Sequence, residues 1–197
     1  MRDYWKPLAA IFLCFLGIAG MLSDRSIARA PGVLVEEEPL QTPTDAAPFA
    51  FRGFELAPQA AYDITARVLS VEPYRVDGGS SLSPLDFAVG WGSMSDSAVL
   101  DHFRVTQGGR FFTIYPDEEA IDLGTALQGS ANMHLIPATK QVRNQLKAVR
   151  AGNIVHLRGM LVNASRSDGY TWNTSLTRKD SGAGACELFY VESVQSR

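Results

Sequence analysis

The chain has 197 residues, a formal net charge of −3 and a pI near 5.6, room for one domain of ordinary size plus extensions. Hydrophobic residues make up 46% and charged residues 20%, a globular balance that excludes wholesale disorder, and the mild acidity argues against non-specific nucleic-acid binding. Cys14 and Cys186 lie at opposite ends, which excludes an intradomain disulfide and zinc sites of CxxC spacing.

From Leu8 to Leu22 no residue is charged or strongly polar. Counted from Tyr4, the run approaches the ~20 residues that cross a bilayer. Tyr4 and Trp5 stand where interfacial aromatics belong, and Pro7 suits a first helical turn. Residues 1–25 therefore read as an uncleaved transmembrane signal-anchor, with a cleaved signal peptide as the rival reading. Arg2 and Lys6 put the N-terminus in the cytoplasm. The expected location is the inner membrane, single-pass, with the C-terminal domain in the periplasm or outside the cell. Residues 26–48 hold Pro31, Pro39, Pro43 and Pro48 and the acidic trio Glu36–Glu38, the composition of a linker. Residues 49–197 form the expected exported domain.

Phe49, Phe51 and Phe54 are expected to dock on that domain. Tyr62–Tyr74 alternates, with Ile64, Ala66, Val68 and Ser70 on one side and Thr65, Arg67, Leu69 and Val71 on the other, and predicts a long first strand. Asp77–Ser81 is a turn. Leu85–Gly92 is apolar and irregular; Trp91, between Gly90 and Gly92, reads as a core ring or as the aromatic wall of a pocket. Ser95 is placed to cap a short helix over Ser97–His102. Phe103–Tyr115 predicts a hairpin around Gln107–Arg110, and Ala120–Gln128 is ambiguous. In Val142–Val162 the period changes. Val142, Leu146 and Val149 form a helical stripe that Thr139 can cap and Gly152 can end. Val155, Leu157, Gly159 and Leu161 then alternate as a strand, and Gly159 suits a bulge or a tight bend of a barrel wall. Ser167–Gly169 is a turn, Tyr170–Leu176 returns, and Cys186–Val194 is the last strand.

The strands, with a helix between the third and fourth, give a fold class of mainly β with one or two short helices. The segment from the helix through Ala151-Gly152-Asn153 into Ile154–Val162 resembles the fourth strand of OB barrels, and the order over Tyr62–Val194 resembles that five-stranded fold. An OB-like small β-barrel preceded by a transmembrane helix is thus implied. The stretch before the hairpin and the sixth strand depart from the pattern. The whole chain resembles membrane-tethered bacterial proteins with OB-like domains, a resemblance that implies no activity.

Cys186 is the sharpest chemical candidate, since Arg178 and Lys179 nearby could lower its pKa. His134 could act as its base, with Asp180 or Asp86 as orienter. A tethered barrel with Cys186, His134 and Arg178 is loosely similar to sortases, although no Thr-Leu-x-Thr-Cys motif is present and Arg178 precedes the cysteine. A small buried hydrophobe is the commoner role of such a residue. Trp91, Trp172, Asp180 and Glu187 are the candidate ligand-binding residues. No cofactor or metal is expected, because the three histidines are scattered and no Asp-x-Asp-x-Asp loop occurs. The leading expectation is a membrane-tethered, non-catalytic binding domain whose partner is an envelope protein or cell-wall component and not nucleic acid. The alternative is a cysteine-dependent hydrolase or transpeptidase.

Overall fold

The computed structural model describes residues 26–177, 182 and 184–197. The expected transmembrane segment, Arg178 and Asp180 lie outside them. Among the described residues no helix is long and apolar enough to cross a membrane.

The elements run β1 (Leu40–Thr42), β2 (Phe49–Phe51), β3 (Phe54–Pro73), β4 (Leu85–Gly90), a 3-10 turn (Gly92–Ser95), α1 (Ser97–Leu100), β5 (Phe103–Gly108), β6 (Phe111–Pro116), α2 (Leu123–Gln128), β7 (Ser130–Pro137), α3 (Lys140–Ala148), β8 (Ile154–Ser165), β9 (Thr171–Trp172) and β10 (Glu187–Ser196). The chain is mainly β, and among the described residues it has three short helices rather than one or two. Five strands pair in the order β3-β4-β7-β10-β8, and β8 pairs back onto β3 to close a ring. Every pairing in it is antiparallel except β7 with β10. A parallel pair needs a crossover, and here it includes α3, whose Val142 and Leu146 are buried. The interior is filled by side chains, among them Tyr62, Phe87, Met133, Leu135, Leu157 and Phe189, so it is a packed core and not a channel.

The long strand β3 spans two partners by bending at two bulges. Its register slips between Pro58 and Ala60 against β8 and between Val68 and Ser70 against β4, leaving Gln59 and Leu69 as extra residues. Each extra residue reverses which face the following residues present. Phe54 and Leu56 therefore lie in an outer cluster, whereas Ala60, Tyr62, Ile64, Ala66 and Val68 fill the interior. Beyond Leu69 it is Val71 that packs against the interior. The uniform alternation expected from Ile64 to Ser70 holds only as far as Val68.

Several other expectations are corrected. The hairpin β5–β6 forms its own two-stranded sheet and is no part of the ring. The second and third ring strands are β4 and β7. Tyr170–Leu176 contributes only the two residues of β9, so the last strand, β10, is the fifth of the ring and not a sixth. Asp96, not Ser95, caps α1 by accepting from Ala98 N–H. Helix α3 begins after the Thr139 cap as expected, but ends at Ala148 with Val149 as its extended C-cap, and Gly152, with φ +88°, lies in the turn beyond it.

Much of the stretch expected to be linker is built onto the ring. Ile27 N–H donates to Ala151 O, Val35 is buried in the interior cluster, and β1 pairs with β3. The Ser95 hydroxyl accepts from the N–H groups of Leu34 and Val35 and donates to Gly92 O. Glu36–Glu38 are exposed, a solvated charge run. Phe49 and Phe51 meet the Tyr190 ring edge-on at 5.1 and 5.3 Å.

Candidate functional site

The site lies outside the ring, over β4 and β7. Asp86 and His134 are direct cross-strand partners, and both point away from the interior because Phe87, Met133 and Leu135 point into it. Asp86 Oδ2 stands 2.9 Å from His134 Nδ1, with the two side chains 1% and 4% exposed. The two atoms are close without the alignment of a hydrogen bond, and neither has a hydrogen-bond partner.

Arg110 closes over this pair. It occupies the two-residue loop Gly109–Arg110 of the β5–β6 hairpin, where both residues need positive φ; they have +58° and +72°. A non-glycine residue there is strained and persists when its surroundings hold it. Its main-chain N–H donates to the Tyr74 hydroxyl at 2.9 Å. Its guanidinium donates to Asp86 Oδ1 at 2.7 Å, to both oxygens of Asp77 at 2.8 and 2.9 Å, and to Ser83 O at 2.9 Å. It also stacks on Tyr74 at 3.7 Å. Burial alone would lower the Arg110 pKa, but the hydrogen bond to Asp77 and the charge of Asp86 outweigh it and raise the value. The same Arg110 hydrogen bond holds the Asp77 carboxyl below its usual range, and burial pushes the Tyr74 phenol up.

Trp172 is the lid. Its ring lies 4.7 Å from the His134 ring and 5.3 Å from the Arg110 guanidinium. A Cβ at Gly79 would come within 2.5 Å of Trp172 Cζ3, so only glycine lets the indole seat there. Tyr170 flanks it, half-buried. These groups border a cleft of about 430 Å³ that Cys186 also lines. An adjoining apolar pocket of about 300 Å³ shares Phe111 and Cys186 and adds Phe112, Leu123, Leu127 and Glu187.

The structure thus brings His134, Cys186 and Trp172 to one cleft. Glu187, 6% exposed, lines the adjoining pocket. Trp91 is 2% exposed within the interior cluster and offers no face to a ligand. Cys186 and His134 stand on neighbouring parallel strands and line the same cleft. In the parallel register Leu188 faces His134, which sets Cys186 about 7 Å back along the strand. The thiol instead donates to Arg110 O at 3.8 Å and accepts from Asn132 Nδ2 at 3.5 Å. Among the described residues, no group of three histidine, cysteine or carboxylate side chains could hold a metal ion.

Arg110, Asp77 and Tyr74 were not singled out from sequence. The available signal was Arg110 itself, an arginine in a two-residue hairpin loop that favours Asn or Gly.

The carboxyl of Asp77 gives a pH prediction. Its folded pKa lies below the unfolded value of about 3.9. The unfolded state therefore binds more protons between the two values, and this contribution is complete above about pH 4 and lost as pH falls through the folded pKa. Asp77→Asn should flatten the acid limb of a stability-against-pH curve measured by urea unfolding. An unaltered limb would mean that Asp77 does not feel Arg110.

Comparison with protein-family models, with curated proteins and with solved structures finds no match.

Proposed function

We propose that this is a membrane-tethered, extracytoplasmic OB-type domain that binds a saccharide-like envelope component and does no covalent chemistry. The ring order, with one parallel pair and a helix between its third and fourth strands, supports the OB reading. OB barrels bind ligands over their second and third strands, between the loops joining strands one to two and four to five. The observation that carries the reading is that the 430 Å³ cleft occupies this place. Asp86 and His134 belong to ring strands two and three, Asp77 and Gly79 to the first loop, and Tyr170, Trp172 and Cys186 to the segment between the fourth and fifth strands.

The lining favours a sugar over a nucleic acid. Trp172, Tyr170 and Phe111 supply apolar faces, with Asn173, Thr171 and Asp77 beside them. Arg110 is already neutralised by two carboxylates, which leaves it little attraction for phosphate. The offset of Cys186 from His134 along the strand and the contacts of its thiol to Arg110 O and Asn132 Nδ2 favour the binding reading over the cysteine-hydrolase alternative.

Titration of the full-length chain with N-acetylglucosamine oligomers, followed by tryptophan fluorescence, tests this. A saturable change that is absent in Trp172→Phe is expected, with none from an oligothymidylate. No response to the sugar, or a tighter response to the oligonucleotide, refutes the ligand class. Thiol labelling at mildly acidic pH should be slow and indifferent to His134→Ala; rapid labelling lost in that variant would restore the catalytic alternative. A periplasmic reporter fused after Val194 should be active, and an inactive one would refute export.

A further inference from the structure

A second cleft, of about 430 Å³, lies between the N-terminal arm and the β3–α1 region, and Arg67 and Arg29 both line it. Arg67 is on β3 and only 9% exposed. A buried cation is ordinarily paired with a carboxylate. Arg67 has no carboxylate within ion-pairing distance among the described residues. Its Nη1 donates to Ser95 O at 3.0 Å and to Ser97 Oγ at 2.8 Å, and Ser97 Oγ donates onward to Arg29 O. Nε and Nη2 donate no hydrogen bond there. Those two nitrogens form the fork that a carboxylate or phosphate accepts bidentately. Burial, with the Arg29 cation, lowers the Arg67 pKa, while Asp101 and Asp96 act at longer range to raise it. Asp96 is itself occupied by the N–H groups of Gly32 and Ala98.

The remaining walls set the shape of what fits. Leu69, Leu100, Phe103 and Val105 supply apolar surface beside the two arginines. A bare inorganic anion would leave this surface uncovered.

We infer that this cleft is a binding site for a small organic oxyanion, a carboxylate or phosphate monoester with an apolar tail, whose head is clamped by the free fork of Arg67. It is separate from the Trp172 cleft and stands whether or not that cleft binds a sugar.

The test is thermal-shift and calorimetric titration of the full-length chain with hexanoate, hexyl phosphate and hexanol. At least one oxyanion should bind and raise the melting temperature progressively, by a term that grows as the logarithm of its concentration above the Kd, hexanol should do neither, and the better oxyanion identifies the head group. Arg67→Lys keeps the charge but loses the fork, and should weaken binding about 10- to 100-fold. Asp101→Asn, at an exposed residue of the same cleft, should tighten it about 1.5- to 5-fold by removing a competing anion. Binding of hexanol as strong as that of the oxyanions, no oxyanion binding in the wild type, or unchanged affinity in both variants would overturn the assignment.

Discussion

Arg110→Ala is expected to destabilise the protein by about 3–5 kcal/mol, the range for breaking one side of a buried ion pair. Asp86 is wholly buried, its side chain 1% exposed, and Arg110 supplies its linear hydrogen bond at 2.7 Å. Without the guanidinium, the carboxylate keeps only the close contact to His134 and must remain charged without water or take up a proton. Either route is costly. The half-exposed link to Asp77 adds little, since exposed pairs contribute about 0–1 kcal/mol. The double variant Asp86→Asn/Arg110→Ala should be more stable than Arg110→Ala alone, because the buried charge leaves with its partner. Urea unfolding of the four proteins measures the cycle. A loss below about 1 kcal/mol in Arg110→Ala would place the pair among solvent-screened ones.

What could be read from the sequence follows from how many faces of each strand are buried. Strand β3 alternates through its middle because one face packs inward and the other is partly wet. Hairpin β5–β6 alternates for a similar reason, which makes it resemble a ring strand pair. The true second and third ring strands, β4 and β7, are buried at every position. A strand covered on both faces loses its period, so Leu85–Gly90 reads as an irregular apolar run and Ser130–Pro137 as an approach to the helix. The bulge at Gln59 is marked only by the preceding Pro58, which cannot donate to the ladder, and the bulge at Leu69 carries no compositional mark, so the reversal of face there is invisible.

The site was legible by residue type and not by contact. His134, Cys186 and Trp172 stand out because few side chains carry such chemistry or such an apolar face, and they share a cleft. Asp86 is also legible as a partner of His134, and the two are cross-strand neighbours; Asp77 and Arg110 are common charged residues, and their meeting with Asp86 depends on a hairpin folding back across the first loop. The same hairpin turns Arg110 from a solvated loop residue into the group that fixes the buried carboxylate, while Trp172 covers it from the opposite side of the sequence.

Gly159→Ala should cost about 2–3 kcal/mol even though alanine is intrinsically the better strand residue. Gly159 pairs with Tyr62 on one side and Val191 on the other, so it sits where β8 joins both neighbours. A Cβ there would lie 2.0 Å from the Tyr190 carbonyl oxygen, a main-chain atom that no rotamer change can move. The neighbouring slip in β10 between Val191 and Ser193 already bends that strand around this point. Replacing glycine by alanine in a strand gains about 0.5–1 kcal/mol of backbone entropy. Forcing an atom into a closed contact costs about 1–3 kcal/mol, and more where backbone must shift, so the clash wins. Gly108→Ala is the control, because its Cβ would meet nothing within 4 Å, and it should be neutral or slightly stabilising. Urea unfolding compares the two variants, and the Trp172 emission of Gly159→Ala adds a local reading. Strand β9, which carries that indole, pairs with the end of β8, so displacing β8 should shift the emission before global unfolding. A Gly159→Ala protein as stable as the wild type would mean that β8 and β10 do not approach this closely, and that the ring is open at that seam.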